Sequence, residues 1–300
     1  MRMRATAAAV SGALALTALA IPAAQAATAA SKGDTVSSVR AAHEADLRKA
    51  TSAHRDAAGF GARAVPDDGI GDTKVSSVVV NGGKNVALGT TKAKTVKVSF
   101  TVTDDSGIEF ADAILWQGDT FEDMKAGLLP NEDEAVCTAT SATSADCKLT
   151  YTIDPKIDLY NNMAGTWKVS VIAAGTDGDF TDKDNAKSFK LQRYSKLTAN
   201  AAPEPIKKGK TLTITGKLTR ANWDTGKYGG YTKQKVTLQT RPASGGSYTS
   251  SKTYTSGSGS SAGVVKTTRT ASKDTCYRYT FAGTSTTPSV TSSGDCVDVR

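Results

Sequence analysis

The chain has 300 residues, a formal net charge of +8, four Cys and two His, a length that suits two domains of ordinary size. Charge is divided by position: residues 66–195 carry 13 Lys and Arg against 20 Asp and Glu, whereas residues 196–300 carry 16 against 5. Both histidines, His43 and His54, precede residue 66, so neither half contains His, which removes Ser-His-Asp and Cys-His nucleophilic systems and the usual zinc sites.

Residues 1–26 read as a secretory signal peptide. Arg2 and Arg4 precede the apolar run AAAVSGALALTALAIPAA, and Ala24-Gln25-Ala26 supplies an A-x-A cleavage site. The run is too short and too Ala-rich to span a bilayer, and no Cys near the cleavage site offers a lipid anchor. The expectation is export to the extracellular space without membrane insertion. Residues 27–65 form a leader, either disordered or a marginal helix. The stretch VSSVRAAHEADLRKATSAHRDAAGF offers an apolar face of only Val36, Val39, Leu47 and some Ala.

From Val75 the period changes to two. KVSSVVV, KTVKVSFTV, ADAILW, KLTYTI, GTWKVSVIA and KSFKLQR alternate or run apolar between Gly, Asp, Asn and Pro clusters. Six or seven strands without a long helix predict an acidic immunoglobulin-like antiparallel β-sandwich over 66–195. KTLTITGKLT, KVTLQTRP, SYTSSKTYT, GVVKTTRT, CYRYTF and CVDVR repeat the pattern and predict a basic sandwich over 196–300. The fold class is therefore all-β, two tandem sandwiches. The joint is expected near KLTANAAPEPIKKG, where Pro203 and Pro205 bar a helix; the linker is short and the sandwiches sit end to end.

Export permits disulfides, and four Cys allow three pairings. Spacing favours Cys137 with Cys147 and Cys276 with Cys296, each closing a local hairpin and worth about 3 kcal/mol. Pairing Cys276 with Cys296 sets Tyr277 opposite Asp295. Tyr277, Tyr279 and Phe281 then share the core face with Val297 and Val299, and both cysteines fall on the outer face. Cys147 shares parity with Leu149, Tyr151 and Ile153, which places the first bridge on the inner face.

The segments KLTANAAPEPIKKGKTLTITGKLTRANW and YRYTFAGTSTTPSVTSSGDCVDV, with VTDDSGI, LLPNED and AGTWKVSVIAAGTDGDF upstream, resemble modules of small secreted actinobacterial proteins. The resemblance covers about residues 70–300. Those proteins are generally labelled hypothetical or calcium-binding, so the resemblance implies tandem immunoglobulin-like sandwiches and export, and defines no catalytic residue. Where this chain has Cys276 and Cys296, the family more often has aromatic residues.

Two clusters carry candidate chemistry. If KTVKVSFTV is strand B and GTWKVSVIA strand F, the B–C and F–G loops emerge at one end of the sandwich. They bring Asp104 and Asp105 together with Asp177, Asp179, Asp182 and Asp184, an oxygen set suited to a structural calcium ion. DGDFTDKDN is not an EF-hand, since Asp182 stands where that loop needs Gly and Ser188 stands at its twelfth position. The competing reading is that these aspartates are solvated turn-formers. The second cluster is RANWDTGKYGGY, where Trp223, Tyr228 and Tyr231 interleave with Arg220, Lys227 and Lys233. Aromatic faces stack on sugars or bases, and cations attract phosphates. Against this, Trp223 would plug the end of the sandwich and the tyrosines cover a sheet edge.

The sequence thus describes a secreted, non-enzymatic extracellular binding or structural protein with calcium as its candidate cofactor. The rival is a module binding cell-wall polymer, glycan or another anionic polymer through the basic half, without nucleic-acid specificity. A carboxylate-based hydrolase is the third reading; it lacks any signal placing two acids in one cleft.

Overall fold

The computed structural model describes residues 34–58 and 69–300, with side chains described for 34–52 and from 69 onward. The expected signal peptide and its cleavage site lie outside the described residues, as does the His54 side chain. Among the described residues no helix is long and apolar enough to cross a membrane.

The first sandwich is built from ten strands: β1 (Gly69–Ile70), β2 (Lys74–Val80), β3 (Val86–Leu88), β4 (Lys94–Thr103), β5 (Ile108–Gln117), β6 (Ala126–Leu128), β7 (Val136–Ser141), β8 (Ser144–Ile153), β9 (Gly165–Gly175) and β10 (Phe180–Arg193). One sheet runs β2-β4-β8-β7; the other runs β1-β10-β9-β5-β6, with β3 joining β10 in parallel. This is immunoglobulin-like order: the chain passes from β2 in one sheet to β3, which lies beside the last strand, β10, of the other. Alternation explains the inner faces. Val96, Val98 and Phe100 of β4 stand opposite Tyr151, Leu149 and Cys147 of β8, and pack on Ala113 and Leu115 of β5 and Trp167, Val169 and Val171 of β9.

β5 and β9 do not alternate in burial; almost every residue of ADAILW and VSVIAAG is buried. A strand buried on both faces reads as a continuous apolar run, and here the cover is helical. Helix α1 (Val36–Ala58) lies on the outer face of this sheet, over β5, β6, β9 and β10. Its contact stripe is Val36, Val39, Ala42, His43, Asp46, Leu47 and Ala50, at helical spacing, with Val39 and Ala50 fully buried. Beneath it lie Phe110, Ile114, Trp116, Phe121, Met124, Ile172 and Phe180. The docking shows in the sequence only through the unbroken apolar runs of β5 and β9, because the sheet, not the helix, supplies the large side chains. Close approach also needs Gly127, whose Cβ would fall 2.7 Å from Val39 Cγ1.

The second sandwich contains β11 (Ser195–Leu197), β12 (Asn200–Ala202), β13 (Thr211–Asn222), β14 (Lys227–Gly230), β15 (Lys235–Pro242), β16 (Thr249–Thr255), β17 (Val264–Thr270), β18 (Thr275–Phe281), β19 (Val290–Thr291) and β20 (Asp295–Val297). β13 pairs with β11, β12, β14 and β17, and the facing sheet is β16-β15-β18 with β19 and β20 on β18. Leu212, Ile214 and Leu218 meet Val236, Leu238, Tyr279 and Phe281 between the sheets. Each sandwich is laced by one buried tyrosine. Tyr151 donates its hydroxyl to Ala113 O across the first core at 2.6 Å, and Tyr279 donates to Ile214 O across the second at 3.1 Å.

Both expected disulfides are present. Cys147 lies in the first core and its partner Cys137 is on the exposed edge strand β7. Cys276 and Cys296 are cross-strand partners on β18 and β20, with Tyr277 opposite Asp295. Tyr277, Tyr279, Phe281 and Val297 face the core and the cystine does not join it. Cys276 is nevertheless fully buried, so that outer bridge is covered at one end.

The joint falls just before the segment expected to hold it. β10 ends at Arg193 and β11 begins at Ser195, leaving Tyr194 alone between them. The described residues from 34 onward belong to one compact unit. Arg193 Nε donates to Ala221 O at 2.7 Å in a buried setting, and Tyr194 N donates to Leu88 O while its own carbonyl accepts Ala221 N. Asn161 of the first sandwich donates to Asn222 Oδ1 and Asp224, and accepts from Trp223 N.

Candidate functional site

One pole of the first sandwich is crowded with carboxylates from three separate chain segments. Asp104 and Asp105 follow β4, Asp177 and Asp179 lie in the β9–β10 turn, and Asp72 comes from the β1–β2 connection. Two groups place one ligand oxygen per residue within 4.8 Å of the others: Asp104 with Asp105 and Asp177, and Asp104 with Asp72 and Asp179. Asp104, 3% exposed, anchors both. It accepts from Thr73 Oγ1 and from Ser106 N and Oγ, and Gly175 leaves it room, since a Cβ there would lie 2.2 Å from the carboxylate. Asp179 accepts from Asp72 N at 2.9 Å; Gly71 opposite has φ +83° and no space for a side chain. Asp177 accepts from Asp179 N at 3.1 Å. The electrostatic cost shows at Asp105, whose carboxyl is raised above its ordinary pKa chiefly by the charge of Asp72, then by slight desolvation and by Asp177, Asp104 and Asp179.

Asp182 and Asp184 do not join this group. They lie past the turn on β10, where a period of two sends both to the outer face under α1. Asp182 Oδ2 sits 3.0 Å from His43 Nε2, their side chains 8% and 12% exposed. Burial opposes charge on His43, but the hydrogen bond to Asp182 and the charges of Asp182, Asp184 and Asp46 outweigh it and raise its pKa. A single F–G loop would keep Asp177 to Asp184 together; pairing of Phe180 through Lys183 with β9 separates them. Conversely Asp72 was missed, because only tertiary pairing of β1 with β10 brings it to the pole.

A second carboxyl pair lies under the helix. Asp112 of β5 is 5% exposed and hydrogen-bonded to Asp46 of α1, and its pKa is pushed up to about 8, first by burial and then by the Asp46 charge. Asp46 is raised too, mainly by burial. At neutral pH the pair therefore holds a proton, with Asp112 donating to Asp46 while its Oδ1 accepts Ala113 N at 2.8 Å. Lys49 closes the rim by pairing with Glu134 and covering the Phe110 ring at 4.1 Å.

The aromatic loop is used internally. Trp223 is 4% exposed, belongs to the first sandwich's core cluster, and donates its indole N–H to Gly89 O at 2.8 Å. It plugs the end of the neighbouring sandwich rather than its own. Tyr228 packs on the same cluster with Lys196 Nζ 4.0 Å from its ring. Tyr231 stacks edge-on against Phe281 with the Arg220 guanidinium 3.9 Å from its ring centroid. A ligand stacking on Trp223 would have to draw it out of the first sandwich's core.

Comparison with known proteins adds no chemistry to this site. Residues 82–173 match a family of unknown function (DUF5707). The matched segment runs from the β2–β3 connection into β9 and includes Asp104 and Asp105. No curated protein matches. Solved structures similar to the chain include the dimeric latent PorU from Porphyromonas gingivalis, at 13% identity over 79% of this chain and 21% of that one, TM-score 0.26. The D0-D1 domain of intimin is similar at 15% identity over 74% of this chain and 98% of that one, TM-score 0.24. An amphioxus IgVJ-C2 molecule is similar at 11% identity over 71% and 99%, TM-score 0.24. The chain spans about a fifth of the length of PorU.

Proposed function

We propose that this is a secreted, non-enzymatic extracellular binding or structural protein whose first sandwich binds a structural calcium ion at the aspartate pole. The observation that carries the reading is the convergence of Asp72, Asp104, Asp105, Asp177 and Asp179, with mutual repulsion visible at Asp105. A divalent cation with oxygen ligands converts that repulsion into attraction. Secretion is supported by the basic-apolar start of the sequence and by the oxidation of all four cysteines. The non-enzymatic reading is supported by the state of the perturbed acids. Asp46 and Asp112 are hydrogen-bonded directly to each other beneath the helix, where no sugar could pass between them, as glycoside hydrolysis requires.

The test is thermal unfolding of the full mature chain in EDTA and in millimolar Ca²⁺. Calcium at 100 times its Kd adds about 2.7 kcal/mol, a rise in Tm of roughly 5–10 °C for a body of this size. Asp105→Asn with Asp177→Asn should abolish the rise. A wild-type Tm indifferent to calcium overturns the reading. The rival is polymer binding by the basic half, for which net charge is the main support because Trp223 is buried in the first sandwich's core; salt-insensitive behaviour on anionic polymer columns would remove it.

A further inference from the structure

The sandwiches contain no histidine, but α1 delivers His43 to the outer face of β10. We propose that His43, Asp182 and Asp184 form a site for a first-row divalent cation of the zinc type, which pins α1 to the first sandwich. One ligand atom from each residue lies within 4.8 Å of the other two. The His43–Asp182 separation of 3.0 Å approaches the ligand–ligand edge of a tetrahedron whose bonds are about 2.0–2.1 Å.

The positions follow from the backbone. Asp182 and Asp184 are two apart on one strand and so share its outer face, while His43 follows Val39 by one helical turn on the buried stripe. The site is held from outside its ligands. Phe121 packs on the His43 ring at 4.4 Å between centroids, and the Trp116 indole donates to Asp184 O at 2.6 Å, where the β9–β10 register shifts. Such supports fix ligand orientation.

A second observation points to a cation. Asp182 is 9% exposed, and its Oδ1 is buried without a hydrogen-bond donor. Most buried polar atoms are satisfied, and a carboxylate oxygen without a donor is costly. A metal ion on that carboxylate supplies the missing partner. Imidazole nitrogen selects the class: it suits zinc, cobalt, nickel or copper, whereas calcium takes oxygen. Three protein ligands leave a fourth position for water, and the exposed Asp184 gives the ion a way in. This site is therefore distinct from the aspartate pole in metal, in ligands and in the element it recruits.

The experiment is zinc titration by calorimetry of the metal-free full mature chain, with Co²⁺ absorption as a spectroscopic check. One equivalent should bind, with a tetrahedral cobalt spectrum and protection of α1 from proteolysis. His43→Gln, which can still donate to Asp182, and the exposed-site variant Asp184→Asn should each weaken zinc by roughly tenfold or more, with unchanged circular dichroism in EDTA. Asp105→Asn with Asp177→Asn should bind zinc as the wild type does, and His43→Gln should keep the calcium response, so the two sites fail separately. Absence of zinc binding, or equal binding by His43→Gln and the wild type, overturns the proposal.

Discussion

The Asp46–Asp112 pair makes docking of α1 dependent on pH, and the sign follows from the direction of the shift. Asp112 has an ordinary pKa of 3.8 and is pushed up to about 8 in the folded chain. The docked state therefore binds a proton that the undocked state releases. Docking is unaffected by this group below about pH 4 and loses stability as pH rises from there toward 8. Each pH unit in the window costs up to about 1.4 kcal/mol, so the ceiling over four units is roughly 5–6 kcal/mol. The observable loss stops sooner, because it cannot exceed what docking is worth. The helix contributes Val39, Ala50 and the covering of Trp116 and Phe121, and burying a Val or Leu side chain contributes about 1.5–3 kcal/mol. Trp116 fluorescence and amide exchange of α1 in EDTA, from pH 5 to 9, should report progressive loosening. Asp112→Asn can donate to the Asp46 carboxylate without a titrating proton, and should retain only the loosening that His43 imposes as it loses its charge opposite Asp182. His43, Lys49 and Glu134 also face the pair, so the difference between variant and wild type isolates the pair. Equal pH profiles in the two, or tighter docking of the wild type at higher pH, would refute the argument.

Four further outcomes are expected. Trp223→Ala should cost about 3–5 kcal/mol and split a single calorimetric transition into two, because that side chain belongs to the core of the neighbouring sandwich. Tyr151→Phe and Tyr279→Phe should each cost about 1 kcal/mol in chemical denaturation, since each removes one hydrogen bond between sheets. Gly175→Ala should displace Asp104 from its contacts with Thr73 and Ser106, measured as lower Tm and a weaker calcium response. Replacing Cys137 and Cys147 together with Ser should cost about 3 kcal/mol and loosen the exposed strand β7, seen as faster amide exchange there.

Much of the fold was legible because its signals are local. Alternation in KTVKVSFTV and KLTYTI marks strands with one buried face, and cysteine spacing in two hairpins fixes their registers without knowledge of the rest. The apolar runs ADAILW and VSVIAAG carry a second signal. Their lack of alternation meant a second buried face, and hence a cover over that sheet. The pole was legible in part: turn chemistry placed Asp104, Asp105, Asp177 and Asp179, while Asp72 and the departure of Asp182 and Asp184 depended on which strands pair.

By itself the sequence determined the class of the chain: β-strands from a period of two, two halves of opposite charge, two local disulfides, and no histidine within either half. Those properties depend on neighbours within about twenty residues. Only the tertiary structure decided what the isolated features contact. It put α1 and His43 over the acidic sheet, moved Trp223 from a candidate ligand loop into the core of the other sandwich, and gave Asp112 its proton. Burial and charge at these positions arise between segments tens of residues apart, and chain closure over such distances leaves no periodic trace in the sequence.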